Sequence, residues 1–187
     1  MSNKFKNIFI YIFGLILGKL FYPKYIFKSK YFKHYNSKGW KWVIKCFLWQ
    51  KILGINRHVQ WPVSQFNSFV SPQNLIFDID DLHNFMGRGC YFQSLRAKIV
   101  IGNGTYIAAN VGLITENHDI FNPSNRAIAK DVIIGSNCWI GMNSVILPGV
   151  ILGDNTTVGA GSIVTKSFFE GKCVIAGNPA KIIKRIS

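Results

Sequence analysis

One loop of the sequence carries the residue type best suited to moving a proton. Residues 115–123 read TENHDIFNP and contain His118. Imidazole titrates near neutral pH, so a histidine can remove the proton of an attacking hydroxyl group. Glu116, Asp119 or Asp131 could orient the ring, and the sequence leaves that choice open. His118 is therefore the candidate general base, and a surface histidine without a role is the alternative.

The elements that position this loop follow a six-residue repeat. An aliphatic residue occupies every sixth position on both sides of the loop: Ile101, Ile107, Leu113, Ile134, Ile140, Ile146, Leu152, Val158 and Val164. The third residue after seven of these anchors is Gly or Asn: Gly104, Asn110, Asn137, Asn143, Gly149, Asn155 and Gly161. Gly and Asn tolerate a left-handed backbone, whereas a helix disfavours them and a strand alternates with period two. The pattern predicts short strands joined by tight corners, with three hexads in each triangular coil.

Small or compact residues precede seven of the anchors by two positions, and we expect them to share the interior with these anchors. They are Thr105, Val111, Cys138, Ser144, Val150, Thr156 and Ser162. Cys138 is accordingly interpreted as a core thiol and not as a nucleophile, because free cysteine packs as a small hydrophobe. The hexads stop after Leu113 and resume by Ile134, so the His118 loop interrupts the coils. Insertions in repeat proteins cluster on the working face.

Several blocks in the second half resemble the hexapeptide-repeat acyltransferases. The resemblance covers residues 76–186 and is strongest in IGSNCWIG (134–141), ILPGV (146–150), GAGSIVTK (159–166) and AGNPAK (176–181). It implies a mainly β fold, a left-handed parallel β-helix that assembles as a trimer. The N-terminal part is expected to be an α-helical, basic-aromatic extension, and a short helix is expected at the C-terminus.

The same resemblance implies chemistry. Related enzymes place a catalytic histidine in the loop that interrupts the coils, and His118 matches it. The implied reaction is O-acetylation of a hydroxyl on a cell-surface saccharide, such as capsule or O-antigen, with acetyl-CoA as co-substrate. Asn110 matches an Asn of the family's Ala-Pro-Asn-Val pattern, although the proline is replaced by Ala109, and it could stabilise the oxyanion. Glu116 completes the candidate catalytic set. The alternatives are N-acetylation of an amino sugar or small acceptor, and a non-catalytic membrane-attached scaffold.

The resemblance also implies a CoA groove between neighbouring coils of a homotrimer. Trp139 matches a tryptophan that flanks this groove, and small residues allow the backbone to approach the pantetheine arm. Basic and polar side chains near the C-terminus match positions near the nucleotide phosphates. The implied cofactor-binding residues are Trp139, Gly141, Met142, Gly159, Ala160, Thr165, Lys166, Lys181 and Lys184.

No metal is expected. Asp78, Asp80, Asp81 and His83 cluster in the sequence, but their spacing matches no metal-ligand motif, and a polar surface turn is the favoured interpretation. The four cysteines form no CxxC pair, which favours free thiols in a reducing compartment. The related γ-type carbonic anhydrases build zinc sites from three histidines, which this segment lacks.

The charge is distributed unevenly, with a break near residue 77, and we expect two regions, a helical one at residues 1–60 and the coils at residues 61–187. Residues 1–77 contain twelve Lys or Arg and no acid, whereas residues 78–187 contain ten Lys or Arg and eight acids. Aromatic residues interleaved with lysines favour an interfacial segment on an anionic membrane. Packing against the coils or a trimer partner, and nucleic-acid binding, are the weaker alternatives.

The apolar run Ile8–Gly18 is eleven residues long, shorter than the roughly 20 that a spanning helix needs. No signal-peptide cleavage site follows it. The expected location is therefore the cytoplasm, with possible attachment to the inner face of the cytoplasmic membrane.

Overall fold

The computed structural model describes residues 3–186, which form two compact units divided between Gln65 and Phe66. The first unit is helical. It contains α1 (Asn3–Phe21), α2 (Lys38–Cys46), a π-helix (Phe47–Ile52) and two 3-10 helices (Lys24–Lys28 and Lys30–Phe32). Within residues 3–186, no helix combines the length and the apolarity that crossing a bilayer requires.

The second unit consists of short strands arranged in three sheets. Its strands are β1 (Ser68–Val70), β2 (Leu75–Phe77), β3 (Tyr91–Gln93), β4 (Ile99–Ile101), β5 (Tyr106–Ile107), β6 (Gly112–Ile114), β7 (Val132–Ile134), β8 (Trp139–Ile140), β9 (Val145–Ile146), β10 (Ile151–Leu152), β11 (Thr156–Val158), β12 (Ile163–Val164), β13 (Cys173–Gly177) and β14 (Ala180–Arg185). Two 3-10 helices, Pro72–Asn74 and Ile79–Phe85, lie in the first coil.

Successive strands along the chain belong to the three sheets in turn, as the hexads predict. Face A contains β1, β3, β6, β9 and β12; face B contains β2, β4, β7 and β10; face C contains β5, β8, β11, β13 and β14. All pairings except β13 with β14 are parallel. Val145 pairs with Ile163, 18 positions later, so three hexads complete one coil. The predicted coil of parallel strands is confirmed, and its left-handed winding stays a prediction.

The corner residues adopt the backbone that their types predict. Positive φ values occur at all seven predicted corners: Gly104 (72°), Asn110 (59°), Asn137 (55°), Asn143 (60°), Gly149 (83°), Asn155 (58°) and Gly161 (70°). We name these corners by the faces they join. The CA corners follow β5, β8 and β11, and the AB corners follow β6, β9 and β12.

The aliphatic anchors stack in register and fill the interior. On face B, Ile134 lies between Ile101 and Leu152, and all three are buried. Eight of the nine anchors are buried, and the ninth, Ile107, is half-buried. Ile107 lies on face C next to the first coil, in which a 3-10 helix takes the place of the face C strand. All seven residues two positions before the anchors are buried, Cys138 among them. Burial raises the pKa of the Cys138 thiol, which suits a core residue and not a nucleophile.

Two sequence predictions are wrong. The C-terminus is not a short helix: β14 turns back after Gly177 (φ 104°) and pairs antiparallel with β13. The β-branched Ile182 and Ile183 favour a strand, and the exposed edge of β13 supplies the pairing groups. The acidic segment is not a surface turn, because Asp81 is buried and accepts a hydrogen bond of 2.7 Å from the backbone N–H of Gly104.

Candidate functional site

The His118 loop is an insertion at an AB corner. Leu113 pairs with Ile146, 33 positions later, so the loop adds 15 residues to an 18-residue coil. Lys130 N–H donates to the Thr115 carbonyl at 2.9 Å and closes the base of the loop. His118 and Arg126 form an antiparallel bridge farther out. The loop is thus a short hairpin that projects from the end of β6.

The imidazole of His118 is exposed and held in one orientation. Its Nδ1 lies 2.6 Å from the Pro123 carbonyl oxygen. A carbonyl oxygen can only accept, so in the neutral ring Nδ1 carries the proton and Nε2 keeps its lone pair. The bond leaves Nε2 as the proton acceptor. None of the three candidate carboxylates makes this contact; a backbone carbonyl does.

Asp119 and Asp131 have other partners. Asp119 Oδ1 accepts from the N–H groups of Phe121 and Asn122, both at 2.9 Å, and these bonds lower the pKa of the Asp119 carboxyl. Asp131 Oδ1 accepts from the Lys98 N–H at 2.8 Å. Both carboxylates shape the backbone at or near the loop.

Glu116 lies at the root of the loop between two arginines. Its carboxylate is buried and accepts from Arg96 Nε at 2.7 Å and from Arg126 Nη1 at 3.0 Å. Arg96 also donates to the Ala127 carbonyl at 3.1 Å. Since Arg126 pairs with His118 across the hairpin, this ion cluster fixes the strand opposite the imidazole.

A buried amide completes the root of the loop. Gln93 Oε1 accepts from the backbone N–H groups of Thr115 (3.0 Å) and Glu116 (3.1 Å), while its Nε2 donates to the Glu116 carbonyl (3.1 Å). Gln93, Arg96 and Pro123 were not predicted, because each meets the loop through contacts that the sequence pattern does not encode. Arg126 was detectable only as a basic residue inside the loop.

The carboxylate of Glu116 gives a pH-dependent prediction. The hydrogen bond from Arg96, and then that from Arg126, lowers the pKa of Glu116 below its ordinary value. A lowered folded-state pKa stabilises the fold above the unfolded-state pKa, and this contribution is lost as the pH falls through the folded-state pKa. We expect Glu116→Gln to melt at a lower temperature than wild type at pH 7, and this gap to narrow below about pH 4.3.

Melting curves of both proteins between pH 7 and pH 3 measure that gap, and Glu170→Gln is the matched control. Glu170 forms an exposed ion pair with Arg185, which is expected to contribute little. A gap for Glu116→Gln that stays constant down to pH 3 would show that the arginines do not stabilise the ionised carboxylate.

The predicted CoA residues lie on face C, at its CA corners and at an AB corner. Trp139 is exposed on face C, where it pairs with Tyr106 on one side and Thr157 on the other. Thr157 pairs with Val174, and Val174 pairs with Lys184 of β14, and we call this row the face C column. Lys181 also lies on β14. Thr165 and Lys166 are exposed at an AB corner, the same edge from which the His118 loop projects.

The small residues of the CA corners let successive coils stack closely. Met142 and Ala160 are exposed at adjacent corners, where the Gly161 N–H donates to the Met142 carbonyl at 2.8 Å. A Cβ at Gly141 would lie 2.6 Å from the Val158 carbonyl oxygen, and one at Gly159 would lie 2.9 Å from the Ala176 side chain. These glycines are therefore required by coil stacking, whatever they do for a cofactor.

Asn110 lies at the first CA corner, exposed, with its side chain against Gly89. Within one chain, face A separates this corner from the AB edge that carries His118. At roughly 3.3 Å per residue, the five or six residues between the two edges span about 15–20 Å. The structure therefore brings Glu116 to the His118 loop and places Asn110 and Trp139 elsewhere on the coil.

In the part of the chain that the structure describes, no three His, Cys, Asp or Glu side chains are arranged to hold a metal ion. The four cysteines are buried and unpaired with one another.

Comparison with known proteins identifies the coils. Residues 131–166 match the family model described as bacterial transferase hexapeptide (six repeats). The chain is 47% identical over 104 residues to the polysialic acid O-acetyltransferase of Escherichia coli O1:K1 / APEC, covering 54% of this chain and 34% of that protein. It is 52% identical over 92 residues to a Dictyostelium discoideum protein named as an acetyltransferase, covering 47% of each.

A solved structure is also similar, the hexapeptide-repeat acetyltransferase of Vibrio cholerae in complex with acetyl coenzyme A. The TM-score is 0.50 at 26% identity, covering 54% of this chain and 55% of that one. The predicted resemblance to hexapeptide-repeat acetyltransferases is thereby confirmed. The chain spans about half or less of the length of the curated relatives that it matches.

Proposed function

We propose that the chain is an acetyl-CoA-dependent O-acetyltransferase that modifies a hydroxyl of a cell-surface saccharide. The observation that carries this proposal is the exposed imidazole of His118, whose Nδ1 donates to the Pro123 carbonyl and whose Nε2 is left as a base. The matched relatives support an acetyl donor, since one of them is in complex with acetyl coenzyme A. The name of another, a polysialic acid O-acetyltransferase, supports a saccharide acceptor.

The reaction needs little beyond a positioned base. His118 Nε2 removes the proton of the acceptor hydroxyl as its oxygen attacks the thioester carbonyl. The C–S bond breaks, the new C–O bond forms the ester, and the imidazolium returns the proton to the departing CoA sulfur. Because the thioester is already activated, no covalent enzyme intermediate is needed. The donor for the oxyanion is Asn110 or a backbone N–H group near the loop.

The positions of the candidate residues favour a site shared between copies of the chain. In one chain, face A separates the His118 loop from the corners with Asn110, Met142 and Ala160. A homotrimer would set the face C column and CA corners of one copy against the His118 loop of the next. Acetyl-CoA would then lie between coils, with Trp139 beside the pantetheine and Lys166, Lys181 or Lys184 near the phosphates.

Activity is tested by incubating the full chain with acetyl-CoA and defined glycans, including polysialic acid and O-antigen oligosaccharides. We expect acceptor-dependent release of free thiol and a product heavier by one acetyl group that mild alkali removes. Alkali-stable product on an amino sugar would show N-acetylation instead. No thiol release above the acceptor-free blank with any glycan would favour the non-catalytic scaffold.

A further inference from the structure

Helix α1 has one face that packs inside the first unit. A Cβ at Gly14 would lie 3.0 Å from the Trp40 carbonyl oxygen, and one at Gly18 would lie 2.8 Å from the Phe27 ring. Leu17, between them, is buried. The rings of Tyr11 and Trp40 meet edge to face at 5.2 Å. These close contacts fix which side of α1 points outward.

The outward side of α1 is a continuous apolar strip. Its exposed side chains run from the first turn to the last: Phe5, Phe9, Ile12, Phe13, Ile16 and Leu20. At 3.6 residues per turn these six positions fall within an arc of about 100°. We call them the α1 strip. An apolar strip of this size on a protein surface marks an interaction site and is not ordinary surface composition.

Lysines flank the α1 strip on both sides, and no acid of residues 1–77 balances their charge. Lys6 and Lys19 adjoin its two edges on the helix and are exposed. The connection to α2 and the first residue of α2 add exposed lysines at 24, 28, 30, 33 and 38 to the same acid-free region. The partner of this surface must therefore be apolar at its centre and negatively charged around it.

We infer that the α1 strip binds an anionic lipid surface, with the helix lying in the membrane plane. An amphipathic helix in this position buries its apolar face about 5–10 Å into the boundary between headgroups and acyl chains. Lipid phosphates then meet the flanking lysines. A second copy of the chain fits less well, because pairing two strips would bring two uncompensated positive regions together. The packing of Gly14 and Gly18 keeps the opposite face of α1 on the protein.

Vesicle sedimentation of the full chain tests this inference. Wild type is mixed with vesicles of phosphatidylcholine alone, or of phosphatidylcholine with phosphatidylglycerol, and a vesicle-free sample corrects for aggregation. The strip variant is Phe9→Ser/Ile16→Ser, whose side chains are 66% and 51% exposed. The matched control is Phe169→Ser/Ile76→Ser in the second unit, whose side chains are 70% and 48% exposed.

We expect wild type and the control to sediment with anionic vesicles and to be released by high salt, because exposed charges are screened. The strip variant should bind at least about tenfold more weakly, since two apolar side chains no longer enter the lipid. Circular dichroism checks that each variant is folded. Equal sedimentation of strip variant and wild type would overturn the inference, as would wild type remaining in solution. A strip variant that loses oligomer mass without losing lipid binding would assign the strip to a second copy.

Discussion

Replacing His118 with Ala is expected to lower kcat for acetyl transfer by about 10²–10⁴-fold, the range that general-base catalysis contributes. The imidazole is exposed, and its bond to the Pro123 carbonyl is local to the loop, so the fold should persist. KM for acetyl-CoA should change little, because Nε2 transfers a proton during the reaction and His118 is not among the residues assigned to bind acetyl-CoA. Steady-state assays of thiol release at saturating acceptor measure both constants.

His34→Ala is the matched control, because His34 is an exposed histidine in the helical unit. It should retain full activity. A His118→Ala enzyme that turns over as fast as wild type would remove His118 from the chemistry and leave only the fold in support of a transferase.

The same variant tests whether the site is shared between chains. His118→Ala and Trp139→Ala chains, each impaired alone, are co-expressed with different tags and purified as mixed assemblies. If His118 of one copy works beside Trp139 of the next, each mixed trimer contains one intact site, which restores about one third of its sites. No recovery would place both residues of each site in one chain.

Ile134→Ala is expected to destabilise the coil unit by about 2–5 kcal/mol, because removing a buried aliphatic side chain leaves a cavity. Ile134 is 1% exposed and stacks between Ile101 and Leu152 on face B. Its neighbour Ile133 points outward and is only half-buried, so Ile133→Ala should cost about 1 kcal/mol or less. The difference in stability cost between these two adjacent isoleucines thus shows which position of the hexad points into the coil.

Urea unfolding followed by far-UV circular dichroism gives both values, at one fixed protein concentration because oligomer stability depends on it. Equal costs at the two positions would mean that both side chains have similar surroundings. That result would contradict the inward stacking of the anchors.

The hexads could be predicted because their signals are local. Asn137 and Gly104 prefer a left-handed backbone whatever surrounds them, and an anchor such as Ile146 must be buried wherever the chain places it. A fixed period then aligns equivalent residues of successive coils. The interruption of that period also located the His118 loop without any knowledge of its partners.

The partners within the loop could not be predicted, because they depend on distance in space. Glu116 stood beside His118 in sequence as a candidate to orient the ring, yet its carboxylate points to Arg96, 20 positions earlier. The Pro123 carbonyl carries no side-chain signal at all. The path of the loop backbone decides which of several nearby acceptors bonds to the His118 ring.

The sequence by itself determined the repeating coil, its corners, its inward-facing anchors and the loop that carries the candidate base, since each follows from the conformational or burial preference of single residues. Only the tertiary structure decided that β14 folds back on β13, that Asp81 is buried against Gly104, and that two arginines hold Glu116. These outcomes depend on hydrogen-bond partners from other coils or turns. Such partners become neighbours only after the coils have stacked.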